Sequence, residues 1–88
     1  MQIIKQVRQF VAANPLDPSA QILARLVLAL EAESDLAISD IYRLDYDRFQ
    51  MALKVLEEWR IDRYFAGKAK LFDISLQAIQ LQQAEKTV

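Results

Sequence analysis

The chain has 88 residues, 53% of them hydrophobic, and a formal net charge of −1. This length predicts a single domain spanning residues 1–88, with one small core. The sequence contains neither cysteine nor histidine, which excludes disulfide bonds, metal sites built on thiolate or imidazole, and Ser-His-Asp catalysis. No apolar run reaches the ~18 residues of a membrane span, and the N-terminus lacks the pattern of a signal peptide. We therefore expect a cytoplasmic protein that makes no membrane contact.

The first third of the chain predicts two helices. Apolar residues recur at helical spacing over residues 2–13, and an Asn-Pro pair ends that helix. Asp17 can cap a second helix, because the proline that follows it is tolerated in a first turn. Residues 18–32 are apolar on almost every side, which is typical of a central helix buried by its neighbours.

Two further helices are predicted from their capping residues. Ser34 can cap a short helix over residues 35–42, and Asp45 can cap a fourth helix that runs to about Trp59. In the fourth helix we expect the apolar side chains of Phe49, Ala52, Leu53 and Leu56 to face inward.

Residues 56–75, LEEWRIDRYFAGKAKLFDIS, lose the helical period. Apolar and polar residues alternate on both sides of Gly67, the only glycine in the chain, and this predicts an antiparallel hairpin of residues 61–65 and 70–74. Ser75 would then cap a last helix, over residues 75–86. The alternative is an all-α bundle in which a helix continues through residues 60–80, because an interior glycine costs a helix only about 1 kcal/mol.

With the hairpin, residues 18–75 resemble a winged helix-turn-helix domain of the bacterial transcription-regulator type. The short helix would be residues 36–41, and the recognition helix would end in the Leu-Glu-Glu phrase at residues 56–58. The wing would be residues 63–72. Arg43 and Arg60 depart from the family pattern, since they stand where the family prefers glycine. The resemblance implies a mainly α fold of about five helices with a two-stranded wing.

The same resemblance implies a small protein that binds double-stranded DNA and regulates transcription, with the fourth helix in the major groove. Its candidates for contacting bases are Tyr46, Arg48, Gln50 and Met51. Its candidates for contacting phosphates are Lys54, Arg60, Arg63, Lys68 and Lys70, since cations at these positions would neutralise the DNA backbone. Asp45 and Asp47 oppose this reading, because two carboxylates at the leading end of a recognition helix repel phosphate.

The alternative function is a protein–protein interaction module that does not bind DNA. Residues 31–40 carry four acidic side chains and no cation, whereas residues 60–70 carry four cations and one carboxylate. The exposed face of the fourth helix mixes Asp, Arg, Met and Tyr side chains, which suits a protein partner at least as well as a phosphate backbone, and an exposed apolar patch would favour the protein partner.

The first helix also predicts an assembly. The stripe of Ile3, Val7 and Phe10 is expected to form the interface of a homodimer, unless this helix packs within its own chain to complete the core. We expect no enzymatic activity, cofactor or metal, because the chain lacks histidine, cysteine and any glycine-rich phosphate loop.

Overall fold

The computed structural model describes residues 3–60 and 65–86, with the side chains of 65–67 and 86 left out. The described residues form five helices, and no strand occurs among them. The helices are α1 (Ile3–Ala13), α2 (Pro18–Ala32), α3 (Ile38–Ile41), α4 (Tyr46–Trp59) and α5 (Phe65–Lys86).

Helices α1 and α2 have the positions that the sequence predicts. Oδ1 of Asp17 accepts from the backbone N–H groups of Ser19 at 2.8 Å and Ala20 at 3.3 Å, which caps α2. The end of α2 is set by Glu33, whose φ of 55° is left-handed and whose backbone N–H donates to the carbonyl of Ala29. The chain leaves α2 through this turn and stays irregular as far as α3.

The predicted third helix is too long and its predicted cap is wrong. It begins at Ile38, with Ala37 at the N-cap position and no capping side chain, so Ser34 is not a cap. The fourth helix begins as expected, because the backbone N–H of Arg48 donates to Oδ1 of Asp45 at 2.8 Å. No side chain of α3 is fully buried, which leaves this short helix on the surface.

The predicted wing, and with it the winged helix-turn-helix fold class, is wrong. Residues 70–74, the expected second strand, lie within the 22-residue helix α5. Of the expected first strand, Phe65 begins α5, and residues 61–64 lie outside the described part of the chain. Ser75 is not a cap but a buried residue inside the same helix. The fold is the all-α alternative.

Packing explains why helix replaces hairpin in this region. The fully buried residues of α5 are Leu71, Ser75 and Ala78, at spacings of i, i+4 and i+7, which place them on one face of a helix. That face packs against α1 and α2. The apolar–polar alternation near Gly67 is too short to distinguish a strand from a helix, and the cost of about 1 kcal/mol for an interior glycine is smaller than the gain from burying this face.

The apolar stripe of α1 belongs to the core of its own chain. Ile3 and Val7 are buried and Phe10 is half-buried against the core, because α1 packs against α2, α4 and α5. A homodimer interface was expected only if α1 had no partner helix within its own chain, but α1 packs against three such helices. The burial of Ile3 and Val7 therefore removes the argument for a dimer through this stripe.

A buried amide ties the first loop to the last helix. The side chain of Gln21, only 2% exposed, donates through Nε2 to the carbonyl of Pro15 and, at 2.9 Å, to the carbonyl of Ala78. Two other buried polar atoms have no hydrogen-bond partner among the described residues: Oε1 of Gln21 itself, and Oγ of Ser75, three residues before Ala78 on α5. The amide therefore joins elements 57 residues apart in sequence.

The N-terminus of α1 is capped by a distant carboxylate. The backbone N–H of Ile3 donates to both oxygens of Glu58 on α4, at 3.0 and 3.2 Å. A carboxylate at this end of a helix satisfies an otherwise unpaired donor and interacts favourably with the helix dipole.

We expect Glu58→Ala to lower the free energy of unfolding by about 1–2 kcal/mol, since it removes a charge-assisted hydrogen bond between α1 and α4. Urea unfolding followed by circular dichroism measures the change. The matched control is Glu57→Ala, which removes an exposed carboxylate one residue earlier on α4. Equal losses for the two variants would contradict the capping role.

Candidate protein-interaction surface

The predicted base-contact residues do not form one free face of α4. Tyr46 is exposed, but Gln50 is half-buried and Met51 packs against the core. The guanidinium of Arg48 lies 4.3 Å from the centroid of the Phe10 ring, so it is directed toward α1 and makes a cation–π contact. Base contact by these residues stays a prediction.

The predicted phosphate-contact residues are spread over two helices. Lys54, Arg60 and Lys70 are exposed, and Arg63 lies outside the described residues. The Lys68 ammonium is 5.2 Å from the ring centroid of Trp59. Lys68 and Lys70 now stand two positions apart on α5, roughly 200° around the helix axis, so they do not line one wing.

An apolar groove opens between the end of α2, the segment before α3, α3 itself and α4. Its volume is about 200 Å³. Seven of its eight lining residues are apolar: Leu26, Ala29, Leu30, Leu36, Ile38, Ile41 and Leu56, with Ser34 as the eighth. We call this depression the apolar groove.

Large apolar side chains at the groove remain open to solvent. Ile38 is 69% exposed, Leu56 41% and Leu53, one turn before Leu56 on α4, 43%. Tyr42, 72% exposed, follows the groove-lining Ile41 in sequence, and its ring centroid is 5.8 Å from that of Phe49. Single exposed apolar residues are ordinary, but exposed apolar residues that line an apolar groove, as Ile38 and Leu56 do, mark an interaction site.

The local sequence explains why the groove stays open. The left-handed turn at Glu33 ends α2, and the irregular residues 34–37 keep α3 away from the end of α2. Helix α3 has only four residues, too few to cover the gap. On α4, the fully buried residues are Ala52 and Val55, so the core takes one side of the helix and leaves Leu53 and Leu56 at its border.

Acidic side chains stand beside the groove. Glu33 and Asp35 are exposed and flank Ser34, which lines the groove. Asp40 on α3 pairs with Arg43 at 3.7 Å. On α4, Arg60 is one turn beyond Leu56 and is exposed. The carboxylates of Glu33 and Asp35 have no ion pair with any described residue.

The sequence analysis missed this surface because it placed Leu53 and Leu56 inside. A signal was present: α4 carries apolar residues at Phe49, Ala52, Val55 and the two leucines, a wider band than one core-facing stripe needs. The excess width indicates that part of the band lies outside the core.

Other kinds of site find little support in the described part of the chain. It contains no group of three carboxylates placed to hold a metal ion. None of the described helices has the length and hydropathy needed to cross a membrane. Comparison with protein-family models, with curated proteins and with solved structures finds no match for this chain.

Proposed function

We propose that this chain is a protein-interaction module that binds a partner protein through the apolar groove. The observation that carries the proposal is the exposure of Ile38 and Leu56, which line an apolar depression, with Leu53 also exposed one turn before Leu56. Covering apolar surface is favourable by roughly 25 cal/mol per Å², so a partner that fits this surface gains affinity from contacts that the isolated chain leaves unmade.

The distribution of cations supports a protein partner over DNA. Affinity for a DNA duplex comes largely from cations that contact its phosphates along one face. Here Arg48 is engaged with Phe10, Lys68 with Trp59, and the hairpin that would have presented Lys68 and Lys70 together is a helix. The acidic side chains beside the groove would also repel phosphate.

We expect polar substitutions in the groove to abolish partner binding without unfolding the chain. Ile38→Gln and Leu53→Gln remove exposed apolar surface at little cost to the core, and Leu81→Gln is the matched control, an equally exposed leucine on α5 outside the groove. Proteins that co-purify with the wild type from a lysate are identified by mass spectrometry, made in pure form and titrated by calorimetry.

The proposal requires a purified partner whose affinity falls at least tenfold with each groove variant and stays unchanged with Leu81→Gln. Equal effects of all three variants, or of none, would overturn it. Circular dichroism of each variant verifies that the helices are retained.

A separate titration tests DNA binding directly. We expect a labelled random-sequence duplex to show no change in fluorescence anisotropy with the protein at low salt. Saturable binding that weakens with salt by about 0.9 in log K per phosphate contact, and that is lost on substitution of Lys54 and Arg60, would favour the DNA-binding function over the protein-interaction module.

A further inference from the structure

We infer that the occupant of the apolar groove is an amphipathic α-helix of another protein, with lysine or arginine beside its apolar stripe. This inference rests on the proposed function, and it adds the chemistry of the partner.

The size and shape of the groove favour a helix over a small molecule. Its volume of about 200 Å³ is below the roughly 300–1,000 Å³ of typical small-molecule pockets. It can receive one or two large apolar side chains, while Ile38 and Leu53 stand open beside it.

Apolar side chains on one side of α4 form a track that matches a second helix. Phe49, Leu53 and Leu56 recur at i, i+4 and i+7, which spans roughly 10 Å along the axis at 1.5 Å per residue. Leu53 and Leu56 are exposed, and Phe49 is half-buried against the core. A partner helix with apolar residues at the same spacing can place successive side chains along this track, which is how helices dock into grooves.

The charge beside the groove favours a cationic partner. Glu33 and Asp35 are exposed and flank Ser34, which lines the groove. Asp40 is already paired with Arg43, Glu31 lines a separate depression that also contains Lys68, and Asp45 caps α4. Complementary charge on a partner favours association and excludes wrong partners.

The cations of α4 do not neutralise this rim. Arg48 stacks on Phe10 of α1. Lys54 lines a different depression together with Ile3, Gln6, Glu57 and Glu58, on the side of α4 that faces α1. Arg60, the C-cap residue of α4, is exposed one turn beyond Leu56 and so belongs to the α4 side of the groove. The rim of the groove is therefore acidic on its α2–α3 side, where lysine or arginine of a partner helix would pair.

Three labelled 15-residue peptides test the inference by fluorescence anisotropy at about 0.15 M salt, an ionic strength that screens distant charges. The first has leucines at helical spacing and lysines elsewhere. The second keeps the leucines and replaces every lysine with glutamate. The third has the composition of the first in an order that forms no apolar stripe.

We expect the Leu/Lys helix to bind at least tenfold more tightly than either other peptide. Its affinity should fall at least tenfold with Ile38→Gln or Leu53→Gln and stay unchanged with Leu81→Gln. It should fall several-fold with the double variant Glu33→Gln, Asp35→Asn, which removes only the rim charge.

The possible failures are distinguishable from failure of the proposed function. Groove-dependent binding of the Leu/Glu peptide as tight as that of the Leu/Lys peptide would overturn the inference about charge and leave the interaction module standing. If no peptide binds but the affinity of a purified partner still falls with Ile38→Gln, the inference about the helix is likewise overturned and the interaction module stands.

If sedimentation shows a wild-type dimer that Ile38→Gln dissociates, the occupant is a second copy of this chain and the inference is wrong. Peptide binding that is unchanged in every groove variant would overturn both the inference and the proposed function.

Discussion

Leu71→Ala is expected to lower the free energy of unfolding by about 2–5 kcal/mol, the range measured when buried leucines are truncated in protein cores. Leu71 is fully buried on the face of α5 that packs against α1 and α2. The loss combines the lost burial of the side chain with the cavity left between three helices, which cannot close without moving one of them. For 88 residues the total stability is roughly 4–13 kcal/mol, so this one change removes a large part of it. Urea unfolding followed by circular dichroism gives the value.

The control for Leu71 is on the same helix. Leu81, 48% exposed, receives the same substitution, and we expect Leu81→Ala to change stability by no more than about 0.5 kcal/mol. The comparison also tests the fold, because a leucine on a solvated wing strand would behave like Leu81. Losses below 1 kcal/mol for Leu71→Ala would contradict the packing of α5.

Gln21→Met is expected to cost about 1–3 kcal/mol although it keeps most of the side-chain volume. The substitution removes both hydrogen bonds of Nε2, to the carbonyls of Pro15 and Ala78. The carbonyl of Ala78 lies inside α5 and keeps its place in the helical ladder, and loss of the unpaired Oε1 of Gln21 offsets part of the cost, so the loss comes chiefly from the Pro15 carbonyl and from the broken link between the first loop and α5. Thermal or urea unfolding measures the loss, and amide exchange should quicken at the start of α2 and along α5 around Ala78.

Ser75→Ala provides the opposite case in the same region. Oγ of Ser75 is buried and accepts or donates no hydrogen bond among the described residues. Removing it should leave stability unchanged or raise it by up to about 1 kcal/mol, because a buried hydroxyl without a partner is unfavourable. A large loss from Ser75→Ala, or no loss from Gln21→Met, would show that the polar groups of this region are paired differently.

Variants at core positions and at groove positions distinguish a loss of stability from a loss of binding. Leu71 and Gln21 are buried in the core and have no part in the proposed interface, whereas Ile38 and Leu53 are exposed in its region. A core variant should therefore weaken partner binding only through unfolding, and a groove variant should weaken it in a fully folded chain. Measuring both properties for each variant prevents a stability defect from being taken for an interface defect.

Around Gly67 the local sequence favours a hairpin, whereas the structure has a helix. The glycine and the alternating residues favoured the hairpin, because both are local features that hairpins contain. A hairpin and a helix would bury different residues of this segment against the neighbouring helices. Leu71, Ser75 and Ala78 meet α1 and α2 only in the helix, and that contact is absent from any window of local sequence.

The functional surface shows the same limit. The sequence raised the protein-interaction module as an alternative from the mixed Asp, Arg, Met and Tyr side chains of the fourth helix. It could not locate the surface, because whether Ile38 and Leu56 stay open to solvent at a groove depends on how far α3 stands from α2. That separation follows from the left-handed turn at Glu33 and the irregular residues 34–37. No residue type in this stretch indicates in advance that the chain turns there.

By itself the sequence determined that the domain is mainly α-helical and where three of its helices start. Apolar periodicity and its loss at the Asn-Pro pair define α1, and the carboxylates of Asp17 and Asp45 cap α2 and α4 as expected, because a helix start is a local contest for backbone N–H groups that one side chain can decide. The tertiary structure decided the rest: that α5 is one continuous helix, that α1 is capped by Glu58 from α4, and that the stripe of α1 is internal while the apolar surface of α3 and α4 is open. Each of these features depends on contacts between residues far apart in sequence. The free energy gained by burying those residues outweighs the local preference for helix or strand, which amounts to about 1 kcal/mol or less per residue.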